Sequence, residues 1–257
     1  WGPAERFAED MMVYFASDKP MRMSKHGKGI KVRIDQFVPA EGYEMTIGEE
    51  GIVILGGSEA GIYYGLQTLR QIIITNEGKV PYGFIADEPT FAYRGAHLDV
   101  SRHFFTKDSI KRFIDMLAMH NINRFHWHLS EDQGWRIEIK SRPLLTEKGS
   151  MRKQTVIGRN SGKYDGKPHG GFYTQEQAKE IVAYAAERYI TVIPEIDMPG
   201  HSAAFVRTFR HDMQSAEGMK ILKLLIDEVC ETFHDLPYLH IGTDEVRFTN
   251  PYFVPEM

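Results

Sequence analysis

Ile190-Thr191-Val192-Ile193-Pro194-Glu195-Ile196-Asp197-Met198-Pro199-Gly200-His201 decides the fold. It starts as a short apolar run rich in β-branched residues, the mark of a buried strand, and its reactive side chains Glu195, Asp197 and His201 gather toward the carboxyl end. Just before it, Thr174-Gln175-Glu176-Gln177 supplies a capping box for a helix carrying Ala178, Ile181, Val182, Ala185 and Tyr189 on one face. The same unit recurs outward in both directions. Ala96–Val100 reads as a strand, followed by a Thr106-capped helix with an apolar stripe of Ile110, Phe113, Ile114, Leu117 and Ala118. Ile122–Leu129 is the next strand, and a helix bearing Leu222, Leu225, Ile226, Val229 and Phe233 feeds a fourth around Tyr238–Thr243. Strand and helix in alternation imply a parallel sheet with right-handed crossovers.

Each of the four strands carries its polar residues at or beyond its carboxyl end. Asp99 and Arg102 follow the first, His128, Glu131 and Asp132 the second, Glu195, Asp197 and His201 the third, and Asp244 and Glu245 the fourth. That edge of a parallel sheet is where α/β barrels and open α/β sheets build active sites. The stretch from Gln133 to Tyr173, roughly 40 residues, far exceeds an ordinary βα connection and is expected to wall a cleft.

Before this region the rhythm is different. Ile30, Val32 and Ile34, then Tyr43, Met45 and Ile47, alternate with polar residues as half-buried strands do. Ser58 and Glu59 open a helix with Ile62, Leu66, Leu69 and Ile73 at helical spacing. Pro81, Gly83 and Pro89 punctuate the next stretch, so the sequence divides near residue 88: a small α+β domain over 1–88 and an α/β domain over 89–257.

The composition is that of a globular protein, with 257 residues, 42% of them hydrophobic and 26% charged. With 31 basic and 35 acidic residues the net charge is -4, which gives no overall electrostatic reason to bind nucleic acid or an anionic membrane surface. Apolar runs such as Ile52–Leu55 fall far short of the roughly 20 residues of a membrane span. Cys230 is the single cysteine, which excludes an intrachain disulfide and a thiolate cluster; its place on an apolar helix face predicts a buried, inert thiol. The chain begins at Trp1, not Met, and shows no basic-then-apolar signal segment, as expected of a chain processed or cut from something longer, so localisation cannot be read from this end.

Asp244-Glu245, in His240-Ile241-Gly242-Thr243-Asp244-Glu245-Val246, is the strongest local signal. Strand neighbours point to opposite faces, so both carboxylates reach one pocket only if the strand ends there, and Gly242 permits that bend. Crowding would leave one acid protonated beside an ionised partner; a solvated pair at a strand end is the plainer alternative. His126-Trp127-His128 puts two imidazoles on one side of a strand, where zinc could be held with His201 and Asp244 completing the set. Arg102 could grip substrate hydroxyls or form a surface ion pair. Trp127 reads as core, and Trp135, beside Gly134 in the loop, as a sugar-stacking platform.

Four stretches in one order carry a resemblance. They are Arg94-Gly95 through Leu98-Asp99-Val100-Ser101-Arg102-His103-Phe104-Phe105; Phe125-His126-Trp127-His128-Leu129 with Asp132-Gln133-Gly134-Trp135-Arg136; Pro194 through His201; and His240 through Glu245. Together they resemble glycoside hydrolase family 20, the β-N-acetylhexosaminidases. Residues 1–88 are similar to the small domain that precedes this family's barrel, Glu59 through Leu69 matching its helix. The resemblance implies a (β/α)8 catalytic barrel and a retaining exo-hydrolase acting on glycans with terminal β-linked N-acetylhexosamine, without cofactor or metal. It assigns Glu245 as general acid/base, Asp244 as the group orienting the substrate's 2-acetamido arm, Arg102 as a sugar-hydroxyl ligand, and His201 as a histidine linked to the acid. Glu131 would hold His201, and Asp132 and Trp135 would contact substrate. It also favours a secreted or periplasmic protein.

Two positions depart from the family pattern: Glu131 stands where Asp is frequent and Thr243 where Gly is frequent. The family's later tyrosine and tryptophans, which line the acetamido pocket, have no counterpart before Met257. Residues 89–257 are also fewer than the roughly 250 of a complete barrel. The expectation is the first four βα units of a barrel, with open strand edges that favour self-association unless a partner covers them. A zinc amidohydrolase-like barrel and a non-catalytic carbohydrate-binding fragment stay open as alternatives.

Overall fold

Arg124-Phe125-His126-Trp127-His128 alternates so that one face can be apolar and the other reactive, and in the folded chain Phe125 and Trp127 are fully buried. A computed structural model describes residues 2–15, 29–158 and 161–257. The chain divides into two units, one of residues 1–94, 115–123 and 187–190 and the other of residues 95–114, 124–186 and 191–257.

The first unit holds α1 (Gly2–Tyr14), β1 (Gly29–Ile34), β2 (Tyr43–Gly48), β3 (Gly51–Gly56), α2 (Glu59–Thr75) and β4 (Gly83–Asp87). The sheet order is β1-β3-β2-β4; β1 runs parallel to β3, and the other pairings are antiparallel. Ser58 caps α2, its hydroxyl accepting from the Ala60 and Gly61 amides, and Ile62, Leu66 and Leu69 are buried with Met45 and Ile54 of the sheet. As an edge strand, β1 buries less than its alternation promises: Ile34 is 61% exposed. The punctuation around residues 81–89 conceals β4, because Pro81 and Pro89 flank that strand instead of interrupting it. Glu41 accepts from both terminal nitrogens of Arg94 at 3.1 Å and from the Asn123 amide at 3.1 Å, fixing the segment that leads into the next strand.

The second unit begins with β5 (Gly95–Asp99) and α3 (Lys107–Met119), which the division between units crosses. Then come β6 (Arg124–His128), β7 (Ser130–Glu131), β8 (Gly134–Trp135), α4 (Pro143–Gly149), β9 (Met151–Arg152), β10 (His169–Gly170), α5 (Gln175–Ala186) and β11 (Thr191–Glu195). It closes with α6 (Ala203–Phe209), α7 (Ala216–Thr232) and α8 (Phe253–Glu256). Strands β5, β6 and β11 form a parallel sheet in that spatial order. The capping box forms as the sequence implies: the Thr174 hydroxyl accepts from the Gln177 amide and the Gln177 side chain from the Thr174 amide, both at 3.1 Å. Thr106 likewise accepts from the Ser109 amide at 3.3 Å.

The structure corrects two expectations. The fourth strand is not a strand: Tyr238–Thr243 follows β11 through a single bridge, His240 to Glu195, with hydrogen bonds from the Ile196 amide to His240 and the Met198 amide to Ile241. Gly242 at φ 67° and Thr243 at φ 83° leave the extended region, and pairing stops there. Nor is the long segment after β6 a bare loop. It contains α4 and two short ribbons, and a bridge from Ile137 to Tyr173 ties its ends; Arg159 and Asn160 within it lie outside the described residues.

Candidate active site

Register builds the site. Asp99 pairs with His128 and His128 with Glu195, while His97 pairs with His126 one layer below, so one face of the sheet is lined by titratable groups. The bridge from Glu195 brings His240 beside them. Glu195 is the hub of this face. Its Oε2 lies 2.7 Å from His128 Nδ1 and 2.8 Å from His126 Nε2, and its Oε1 lies 3.1 Å from His240 Nδ1. Burial works against the Glu195 carboxylate, but His126 and His128 outweigh it and hold the group well below the usual carboxylate range.

Above that layer Glu131 is 2% exposed and fully engaged. Its Oε1 accepts from His201 Nδ1 at 2.7 Å; its Oε2 lies 2.9 Å from Arg102 Nη2 and 3.3 Å from His128 Nε2. Arg102 also donates to Asp99 at 2.7 Å, so a half-exposed guanidinium is clamped between two carboxylates. Burial disfavours the His128 cation, yet hydrogen bonds to Glu131 and Glu195 override it and lift this imidazole to about 10. Because the native value is raised, charged His128 favours the folded state fully below about pH 6.5 and loses that contribution as pH climbs through its native value.

Asp244 and Glu245 sit at the turn where pairing ends, their side chains 65% and 77% exposed. His201 reaches both: its Nε2 lies 3.3 Å from Glu245 Oε2 and 3.8 Å from Asp244 Oδ2. Burial disfavours the His201 cation, but Glu131, Asp197 and Asp244 raise its pKa. Asp197 is a crowded acid in this group. It is 2% exposed, and burial together with the nearby Asp244 pushes its carboxyl up to about 6. Asp197 Oδ1 accepts from the Thr243 amide at 3.3 Å, and a Cβ on Gly242 would stand 1.9 Å from the same oxygen. Glycine is therefore required twice over at 242, for its positive φ and for this approach.

Among the sequence-predicted residues, Glu131, His201, Asp244, Glu245 and Arg102 converge. Asp132 is at the edge of the group but faces α6: its Oδ1 accepts from the Ala203 amide at 2.9 Å and its carbonyl from Arg207 at 2.8 Å. Replacing Asp132 by Ala should cost about 1 kcal/mol in urea unfolding, the usual value of a lost helix cap, with Asn largely restoring it; unchanged stability would remove the capping role. Trp135 is not the platform that its place in the sequence suggests. It is 1% exposed and its indole N–H donates to the Ile137 carbonyl at 2.8 Å, because the β7–β8 hairpin folds the ring inward, so it cannot stack on a sugar. Cys230 is exposed, not buried, since the stripe of α7 that is buried runs through Leu222, Leu225 and Val229.

His97, Asp99, His128, Glu195, Asp197 and His240 belong to the group as well; the sequence places Asp99, His128, Glu195 and Asp197 at strand ends without a role in the glycosidase assignment, and passes over His97 and His240. A signal for the first three existed: His97-Leu98-Asp99 and His126-Trp127-His128 repeat one polar-apolar-polar pattern on neighbouring strands. Metal-ligand spacing is met in places, as for His126, Glu195 and His240, whose donor atoms lie within 4.8 Å. Among the described residues no such group joins His126 and His128 to His201 and Asp244, the zinc set the sequence suggested. His128 lies between carboxylates on both nitrogens, and a protonated imidazole has no lone pair for a metal. We read His128 with Glu131 and Glu195 as a hydrogen-bonded network, not as a ligand set.

Comparison with known proteins adds an independent line. The model for the glycosyl hydrolase family 20 catalytic domain matches residues 91–217, and that for domain 2 of the family matches residues 4–88. A beta-hexosaminidase of Porphyromonas gingivalis is 43% identical over 251 residues, covering 85% of this chain and 31% of the relative. One from Vibrio furnissii is 37% identical, covering 84% of this chain and 39% of its own length. Among solved structures, a GH20 exo beta-N-acetylglucosaminidase from Vibrio harveyi in complex with N-acetylglucosamine matches with TM-score 0.83 at 32% identity, over 95% of this chain and 42% of that one. The GH20 beta-N-acetylhexosaminidase from Streptomyces coelicolor matches with TM-score 0.81 at 31% identity, over 99% and 57%. The chain thus spans less than half the length of the two curated relatives.

Proposed function

The chain belongs to glycosyl hydrolase family 20, and from that premise we propose that it serves to remove terminal β-linked N-acetylhexosamine from glycans by a substrate-assisted, retaining route. The observation that carries this reading is the series Glu131–His201–Glu245, with contacts of 2.7 and 3.3 Å, beside an arginine fixed by two carboxylates. Asp244 and Glu245 lie outside the stretch matched to the catalytic-domain model, so their roles are supported by that geometry and by the motif around them.

In this reading Arg102 binds sugar hydroxyls at the rim. Glu245, exposed toward the open side, protonates the glycosidic oxygen while the substrate's own acetamido carbonyl attacks the anomeric carbon. The attack needs no protein nucleophile, which is why two adjacent acids suffice where most glycosidases need two opposed ones. Asp244 steadies the acetamido nitrogen as positive charge develops, and Glu245 then takes a proton from the water that opens the oxazolinium ring. The parallel sheet is read as the first strands of a (β/α)8 barrel, and association through its open edge is part of the same proposal.

The test uses the intact polypeptide with a chromogenic β-GlcNAc glycoside and its 2-hydroxy analogue. The acetamido substrate should be cleaved at least roughly 10³-fold faster, since intramolecular attack supplies a large effective concentration. Equal rates would overturn the substrate-assisted route, and sugar binding without turnover would favour a carbohydrate-binding role.

A further inference from the structure

We propose that His128 is a fixed cation that sets the protonation of His201 across the shared carboxylate of Glu131, making His128 a positioning residue for the acid at the turn. The protonation relation stands on geometry alone; only its link to the acid rests on the glycosidase reading.

Hydrogen-bond inventory fixes the charge of His128. A neutral imidazole donates from one nitrogen and accepts at the other. His128 has a carboxylate oxygen at each nitrogen, Glu195 at 2.7 Å and Glu131 at 3.3 Å, and neither can donate while ionised. Only the doubly protonated ring satisfies both, and Asp99, paired with it across β5 and β6, adds a third negative charge. His97 and His126 stand on the same face, and His126 meets Glu195.

Glu131 then divides its two oxygens. One is given to His201; the other faces two cations, Arg102 and His128. His201 is in turn faced by Asp197, Asp244 and Glu245. The carboxylate that stabilises protonated His201 is thus partly neutralised from behind, and the positive charge of His128 also opposes a second one on His201 directly. Both effects have the same sign. Together they keep His201 from becoming a permanent cation, as His128 is, and leave it able to exchange a proton with Glu245.

The test is a histidine NMR titration of the intact polypeptide, which needs no turnover. In the wild type, His128 should remain protonated through neutrality, and a midpoint near that of a free imidazole would overturn the proposal even if no variant folds. In His128→Gln the His201 midpoint should rise by roughly half a pH unit or more, as removal of a unit charge several ångströms away requires. In Glu131→Gln it should fall. A purely structural role for His128 would lower stability and leave the His201 midpoint in place, and that result also overturns the proposal. If these shifts appear but β-N-acetylhexosaminides are not hydrolysed, the functional reading fails and the electrostatic relation stands.

Discussion

Glu245→Gln in the intact polypeptide is expected to lower kcat/KM about 10²- to 10⁴-fold for an N-acetylhexosaminide whose leaving group is another sugar, the range that one positioned general acid contributes. The substitution keeps the size of the side chain and its place beside His201 Nε2, 3.3 Å away, but an amide has no acidic proton to give. The loss should depend on the leaving group. A nitrophenolate departs without protonation, so its glycoside should retain much more of its rate, provided that acetamido attack limits turnover. The exposure of Glu245, 77% for the side chain, means that its replacement leaves no buried group unpaired and should scarcely alter stability. A fall in rate is therefore read as chemistry, with an unfolding curve as the control. Near wild-type turnover of the poor leaving group would end the assignment of Glu245 as the acid, whatever the family.

Why the sequence exposed some of this site and hid the rest has a physical answer. Local rules are visible locally: the Thr174 capping box, the Ser58 cap and the alternation in Arg124–His128 depend on residues within one turn or one strand. The convergence of Glu131, His201, Asp244 and Glu245 was legible because each comes after a segment whose direction the alternation fixes. What failed depended on partners distant in sequence. Trp135 looks like a loop residue until the β7–β8 hairpin turns it inward. Glu195 looks like one polar strand end among several until register sets it against His128 and His126. Tyr238–Thr243 has strand composition, but the left-handed backbone at Gly242 and Thr243 ends it. Crowding, too, was sought between neighbours in sequence, Asp244 and Glu245, while the structure brings Asp244 against Asp197, which is remote from it along the chain.

Arg136 illustrates the same limit and yields the largest stability effect expected for this chain. By its sequence neighbours it passes for one more charged loop residue, yet it is fully buried. Its Nε donates to the Val100 carbonyl at 3.1 Å, Nη1 to Ser150 at 2.5 Å and Gly171 at 3.0 Å, and Nη2 to Ser101 at 2.6 Å. No carboxylate pairs with it among these contacts, and burial accordingly lowers its pKa to about 10. The guanidinium replaces water for four backbone carbonyls, of which only that of Ser150 also accepts from a backbone amide, that of Gly171 at 3.4 Å, among the described residues. It joins the stretch leading into Arg102 to the two ends of the β9–β10 ribbon. Gly134 leaves the space it needs: a Cβ there would stand 2.3 Å from the guanidinium carbon. Arg136→Met keeps most of the volume but removes all the guanidinium donors, so the Val100, Ser101 and Gly171 carbonyls lose these partners in the interior. The expected cost is about 3–5 kcal/mol in urea unfolding, the scale of breaking a buried charged network by removing one member. Lys should recover only part of this, because a single ammonium cannot meet four acceptors in the planar fork that Arg provides. Because the same contacts fix the backbone at Ser101, Arg102 should lose its alignment with Asp99 and Glu131, and KM should rise even at temperatures where the variant remains folded. A loss below about 1 kcal/mol, the net value of a single ordinary hydrogen bond, would mean that water reaches these carbonyls and that Arg136 does not hold the loop.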